Sequence, residues 1–168
     1  DLSEPGYGVA VLNDCKYGVS VENGRIWLSL HKGGCRPDYR GDKGIHECTY
    51  ALLPHNSGFG AEAVVQPAYE LNIAPIVMPG KKELESFVTV DAPNVIVEAV
   101  KPMEDGNGYA LRLYEAEGTS VRTKLHLTET GEKVMLTNLL EEEIETLPDE
   151  KEIALGFKAF EIKTICVL

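Results

Sequence analysis

Between Val19 and Leu30 the chain alternates apolar and polar side chains on either side of Asn23-Gly24, and no other stretch constrains the fold as tightly. A period of two puts every second side chain on one face of a strand. Asn-Gly tolerates the positive φ angles that a two-residue type I′ turn demands, so the stretch is predicted to be a β-hairpin. Similar strand-like runs recur at residues 7–12, 47–53, 95–100, 109–114, 120–127, 133–139 and 161–167. Turn clusters such as Asp105-Gly106-Asn107-Gly108, Glu117-Gly118 and Thr130-Gly131 separate the later ones at the spacing of short antiparallel connections.

Helical periodicity is scarce. Ala61, Val64, Val65, Ala68 and Leu71 recur near helical spacing and Pro67 interrupts them, which predicts one short helix in an otherwise all-β chain. Residues 74–84, with Pro75, Pro79, Gly80, Lys81 and Lys82, read as the junction between a first unit, 1–73, and a second, 74–168. The acidic run Glu141-Glu142-Glu143-Ile144-Glu145 is expected to be a solvated loop, since it lacks the glycine and alternating oxygens of a calcium loop.

Sixteen Lys and Arg against 27 Asp and Glu leave a formal net charge of -11. That balance repels phosphate backbones and anionic lipid surfaces, so neither nucleic acid nor a membrane is an expected partner. The opening Asp1-Leu2-Ser3-Glu4-Pro5 has no signal-peptide pattern and no initiating Met, which suggests a processed chain or a piece of a longer protein. The four cysteines, Cys15, Cys35, Cys48 and Cys166, form no C-x-x-C pair. They are expected to be mostly buried thiols in a reducing, cytoplasmic compartment.

Residues able to do chemistry concentrate early. His31, His46 and His55 precede residue 56, together with Asn13, Asp14, Lys16, Tyr17, Lys32, Asp38 and Asp42. Composition alone favours the plainer reading, in which 36–43 is a solvated loop with internal ion pairs. Cys35, Asp42, His46, Cys48 and His55 are zinc ligands by type, but they lack the tight ligand pairs of zinc modules, so no metal site is expected. Asp14, Asp38 and Asp42 are carboxylates of the kind glycosidases pair across a sugar, without spacing that pairs them. Tyr7, Tyr17, Trp27, Tyr39 and Tyr50 could stack on a sugar, although aromatics on alternating strands are expected to belong to the core.

The wording of the motifs adds a resemblance. Tyr7-Gly8-Val9-Ala10-Val11-Leu12-Asn13-Asp14-Cys15-Lys16-Tyr17-Gly18 closely resembles a segment of the α-mannosidases of glycoside hydrolase family 38. Leu28-Ser29-Leu30, Pro37-Asp38, Gly44-Ile45-His46-Glu47 and Thr49-Tyr50-Ala51-Leu52-Leu53-Pro54-His55 follow in that family's order. Val100-Lys101-Pro102-Met103-Glu104-Asp105-Gly106 and Phe160-Glu161-Ile162-Lys163-Thr164-Ile165 resemble its terminal sandwich, so the likeness spans nearly the whole chain.

The resemblance implies a C-terminal fragment. Residues 1–73 would be the last strands of the family's galactose-mutarotase-like supersandwich, and 74–168 a small immunoglobulin-like antiparallel β-sandwich. The parent enzyme would hydrolyse terminal α-mannosides with retention, its Asp nucleophile and zinc ion lying on upstream domains, so that no catalytic residue and no metal ligand is assigned to this chain. Asn13, Asp14, Lys16, Tyr17 and Lys32 are carried over as substrate-binding candidates that line the site or brace the barrel. The family often has Leu-Arg after Leu-Ser-Leu; here His31-Lys32 offers a point charge in place of a guanidinium fork. Its partners would be the upstream domains of its own parent chain and, through the full enzyme, an α-mannoside. The rival readings are a free-standing carbohydrate-binding sandwich and an interaction module that docks through residues 7–55, with a homo-oligomer among the partners considered.

Overall fold

Strands β1 (Leu2–Glu4) and β2 (Tyr7–Asn13) open the chain as an antiparallel pair, and β2 pairs on its other side with β5. Between β2 and β5 (Tyr50–His55) lies the expected hairpin, β3 (Val19–Glu22) with β4 (Arg25–Leu28). Its turn has φ of 51° at Asn23 and 70° at Gly24, the left-handed pair that the dipeptide was chosen to supply. Gly8 answers a different need: a Cβ there would collide with the imidazole of His55, its cross-strand neighbour. The computed structural model describes residues 1–81 and 85–168. It divides into two units, Asp1–Ile76 and Val77–Leu168. Lys82 and Leu84, part of the expected junction, lie outside the described residues.

A helical segment covers one face of the first sheet. It starts as a π-helical turn, Ala61–Val65, and continues as α1, Gln66–Asn72. Pro67 does not break it, because it falls in the first turn of α1, where a missing N–H and a fixed φ cost nothing. Ala10 and Leu12 of β2 pack there with Val64, Ala51, Leu53, Ala68 and Leu71. Their alternate neighbours, Tyr7, Val9 and Val11 with Leu52 and Pro54 across the register, share the opposite face. That face is partly covered. Tyr7, Tyr50 and Leu52 are 55%, 60% and 69% exposed, and Tyr17, Trp27 and Tyr39 are exposed too. The early aromatics are therefore not core as expected: on the side opposite the helix Val9 and Val11 are half-buried and share a cleft with Gly24 and Ile26 of the hairpin, while the aromatics stay exposed.

The second unit is a two-layer antiparallel β-sandwich, in accord with the all-β expectation. One sheet has the order β11-β10-β13-β8-β7, from β7 (Val95–Pro102), β8 (Tyr109–Glu115), β10 (Val134–Thr137), β11 (Glu143–Leu147) and β13 (Ile162–Val167). The other has the order β12-β9-β6, from β6 (Val88–Val90), β9 (Val121–Leu127) and β12 (Glu152–Phe157). Alternate side chains from both sheets meet in one core: Leu111, Leu113 and Ile165 from the first, Leu125, Ile153 and Phe157 from the second. On β13 four successive residues are buried, because Cys166 packs outward under Met103, Ala110 and Met135 while Ile165 and Val167 point inward.

Two expectations change. The acidic run is not wholly a loop: from Glu143 it pairs with β10 as an edge strand, where alternating carboxylates and the Lys133–Glu143 ion pair keep the edge soluble. Only Cys166 is buried among the cysteines; Cys15 and Cys35 are exposed and Cys48 half-buried, since the loops that carry them have little packed over them.

The buried polar centre of the sandwich is Glu115, which has no exposed surface. Its carboxylate accepts six hydrogen bonds, from the backbone N–H groups of Glu117, Gly118, Thr119 and Phe160 at 2.8–3.1 Å, the Asn94 amide at 2.9 Å and the Thr119 hydroxyl at 3.1 Å. Burial alone pushes its pKa up, but the N–H groups of Phe160 and Glu117 and the Asn94 amide outweigh that and hold it at about 2, against an ordinary 4.5. A carboxylate depressed by that much contributes about 3 kcal/mol above pH 4.5, and the contribution is lost as the pH falls towards 2. Glu115→Gln keeps the shape but turns an N–H₂ towards N–H donors. Thermal melts at pH 7 should show a midpoint lower by on the order of 10 °C. The gap to the parent should narrow as the pH is lowered from 4.5 towards 2; a gap constant with pH would count against an ionised Glu115.

Candidate functional site

Strand β2 ends because Asn13 turns the chain. Its Oδ1 accepts the backbone N–H of Lys16 at 2.6 Å, an Asx turn that competes with the ladder. The turn is then pinned to the approach to β5: Asp14 N–H donates to the Thr49 carbonyl at 3.2 Å, and Thr49 N–H donates to Asp14 Oδ2 at 3.0 Å. From a third direction the Asn72 amide, at the end of α1, donates to the carbonyls of Asn13 at 3.2 Å and Ala68 at 2.9 Å. Strand, strand approach and helix end thus converge on residues 13–16.

The Cys15 thiol, hydrogen-bonded to Asp14, and the Thr49 N–H hold the Asp14 carboxyl below its ordinary range. The same bond to Asp14, with a smaller contribution from burial, pushes the Cys15 thiol up, and the nearby Cys48 thiol adds to the shift. Asp14 is therefore an ionised acceptor committed to holding the loop. What remains to face a ligand is the Asn13 amide N–H₂, the half-buried Lys16 and the ring of Tyr17, which is 91% exposed.

Of the five candidates, the structure gathers Asn13, Asp14, Lys16 and Tyr17 in this one loop. Lys32 lies exposed in the stretch after β4, with no hydrogen bond or ion pair among the described residues. Thr49 and Asn72, which set the loop's position, were missed, because contacts across 35 and 59 residues leave no local pattern.

The residues with zinc-ligand chemistry are spent elsewhere. A His46 ring nitrogen meets the Asp42 carbonyl at 2.5 Å, and its ring lies 4.5 Å from that of His31. His55 sits between Asp1, at 2.9 Å, and the Ser57 hydroxyl. Asp38 caps its own turn by accepting the Arg40 N–H at 2.8 Å. Among the described residues no three of His, Cys, Asp or Glu converge as a group that could hold a metal ion. No described helix is long and apolar enough to cross a membrane.

Residues 1–40 match the family described as glycosyl hydrolases family 38 C-terminal domain, and residues 94–165 match the glycosyl hydrolases family 38 C-terminal beta sandwich domain. The whole chain aligns with Alpha-mannosidase 2C1 of Homo sapiens at 38% identity and of Mus musculus at 35%. Alpha-mannosidase G of Dictyostelium discoideum is 36% identical over 70% of the chain and 12% of its own length. The chain spans only 17% of the length of the two mammalian proteins. It belongs to glycoside hydrolase family 38, matching the C-terminal β regions of that family.

Proposed function

We propose that this chain buttresses and partly walls the active site of a retaining, zinc-dependent α-mannosidase whose catalytic carboxylates and metal are held by upstream residues. The observation that carries this reading is the partly covered apolar face of the first sheet, where exposed Tyr7, Leu52 and Pro54 lie beside half-buried Val9 and Val11. Contiguous apolar surface of that kind marks a contact with another part of a protein. An alignment that covers 17% of the mammalian relatives supplies the occupant, the preceding domains of the same longer chain. On this reading residues 1–73 complete a supersandwich and 74–168 form the terminal sandwich. A reducing, cytoplasmic setting fits the four free cysteines.

In that role Asp14 holds the loop, while Asn13, Lys16 and Tyr17 reach sugar hydroxyls or the barrel wall. Zinc, when bound upstream, grips sugar hydroxyls; this chain's share is to fix the wall against which the sugar is positioned.

Hydrolysis of an aryl α-mannoside, with zinc or cobalt added, should be seen with a protein extended to its natural N-terminus and not with the 168-residue chain. Turnover by the short chain that survives repurification would place the chemistry here and overturn the reading. In the extended enzyme, Lys16→Ala removes one hydrogen-bonding cation. It should raise KM by ~2–10-fold with kcat little changed, the signature of lost uniform binding. A fall in kcat alone would instead mean that Lys16 acts on the reacting bond. Mannose binding by the short chain, localised at Tyr17 in chemical-shift maps, would favour the carbohydrate-binding module.

A further inference from the structure

The β2–β5 register continues past the last paired residues. Asn13 stands opposite Tyr50, and one further backbone bond, from Asp14 N–H to the Thr49 carbonyl, continues the register by a step, the return bond from Thr49 N–H being taken by the Asp14 carboxylate in place of its carbonyl. The next step sets Cys15 opposite Cys48. In an antiparallel ladder, hydrogen-bonded and non-hydrogen-bonded pairs alternate. Val9 pairs with Pro54, which has no N–H, so 9–54 is a non-hydrogen-bonded pair. By alternation 11–52, 13–50 and 15–48 are of that kind too, and the single backbone bond from Asp14 N–H to the Thr49 carbonyl belongs to the other class. Such pairs bring opposed Cα atoms to about 4.5 Å, inside the ~4.4–6.8 Å span of a disulfide. The side chains agree with the backbone. Cys15 Sγ lies 3.7 Å from the Glu47 carbonyl, on the peptide unit that precedes Cys48, and both cysteines are free thiols.

We propose that Cys15 and Cys48 form a reversible intramolecular disulfide, a redox modification site at the base of the 13–17 loop, with a small-molecule disulfide such as glutathione disulfide as the oxidant. The exposed Cys15 is captured first. Its thiolate attacks one sulfur of glutathione disulfide, giving a protein–glutathione mixed disulfide and releasing one glutathione thiolate. The half-buried Cys48 thiolate then attacks Cys15 Sγ in that mixed disulfide, forming the Cys15–Cys48 bond and releasing the second glutathione. Two protein thiols are oxidised, one glutathione disulfide is reduced to two thiols, and the two protons pass to glutathione. Closure staples the end of β2 to the approach to β5, where Asp14 already holds Thr49. The bond thereby fixes the loop that presents Asn13, Lys16 and Tyr17. Cys35, also exposed, has no cysteine across a strand, and Cys166 is buried in the sandwich, so neither competes.

The test uses the full-length protein that contains this chain, equilibrated with glutathione disulfide in excess, alkylated and digested with trypsin without reduction. Lysine and arginine positions place Cys15 on the peptide ending at Lys16, Cys35 on 33–40, Cys48 on 44–81 and Cys166 on the peptide that begins at Thr164, so mass spectrometry separates every pairing. The expected product is the peptide ending at Lys16 joined to 44–81, released by glutathione in excess, with Cys35 capped by glutathione and Cys166 alkylated. Cys48→Ser should leave Cys15 as the glutathione adduct. Free or separately glutathione-capped Cys15 and Cys48 in the unaltered protein would overturn the proposal, as would a bond from either to Cys35.

Discussion

One carboxylate organises the end of the β-sandwich at which four chain segments have to meet. Glu115 closes β8, and its six hydrogen-bond donors come from the start of β7, the turn that follows β8, and the bend at Phe160 that launches β13. A neutral side chain could not accept from so many donors at once, and an unpaired charge could not be buried there at all. The arrangement works because the donors are mostly backbone N–H groups that would otherwise be orphaned in tight turns. Phe160 takes a φ of 57° to present its N–H, and its ring lies against Gly118, a position without room for a Cβ. The apolar core beside this centre, from Leu111 and Leu113 to Leu125 and Ile153, then packs between sheets whose ends are already tied.

The sequence was most legible where local chemistry and long-range packing ask for the same thing. Asn23-Gly24 demanded a left-handed turn and the flanking alternation demanded two faces, so the hairpin was readable outright. The strands around Leu111, Leu125 and Ile165 were readable for the same reason. β12 is not among the predicted strands although Ile153, Leu155 and Phe157 alternate, and it follows directly on an acidic, proline-containing stretch. Charge in an edge strand is a device against aggregation, not a sign of disorder, and Glu143 and Glu145 show how the two look alike in one dimension. The short helix predicted around Pro67 is present, since a proline in the first turn starts a helix as readily as it ends one.

The errors about burial share a physical cause. Aromatics and cysteines were assigned to a core on the premise that each unit covers its own sheets. That premise holds for the second unit, where both sheets of the sandwich supply buried residues, and fails for the first, whose helix protects only the face of Ala10 and Leu12. An alternating strand says that it has two faces; it does not say whether the second is wet or covered by residues from elsewhere. The motif around residues 7–18 was legible as a resemblance, but its reasons were not. Gly8 is required by the ring of His55, and Asp14 by the N–H of Thr49, partners that lie 47 and 35 positions away along the chain.

Those partners also decide what kind of site the loop is. A catalytic carboxylate needs an environment that leaves it free to take or give a proton, or to attack. Asp14 is in the reverse position, its charge consumed by Thr49 N–H and the Cys15 thiol, both of which stabilise the ionised form. It resembles Glu115 on a smaller and wetter scale: a carboxylate used to gather N–H groups so that a turn keeps its shape. The difference lies in the neighbours. Around Glu115 every bonded group is tied within the sandwich, whereas Asp14 shares its oxygens with a thiol that is exposed and faces a second thiol across the ladder. The rigidity of the loop is therefore coupled to the chemical state of a cysteine. A structure that relied on the loop for shape alone would be better served by serine there, which offers the same hydrogen bond without the second oxidation state.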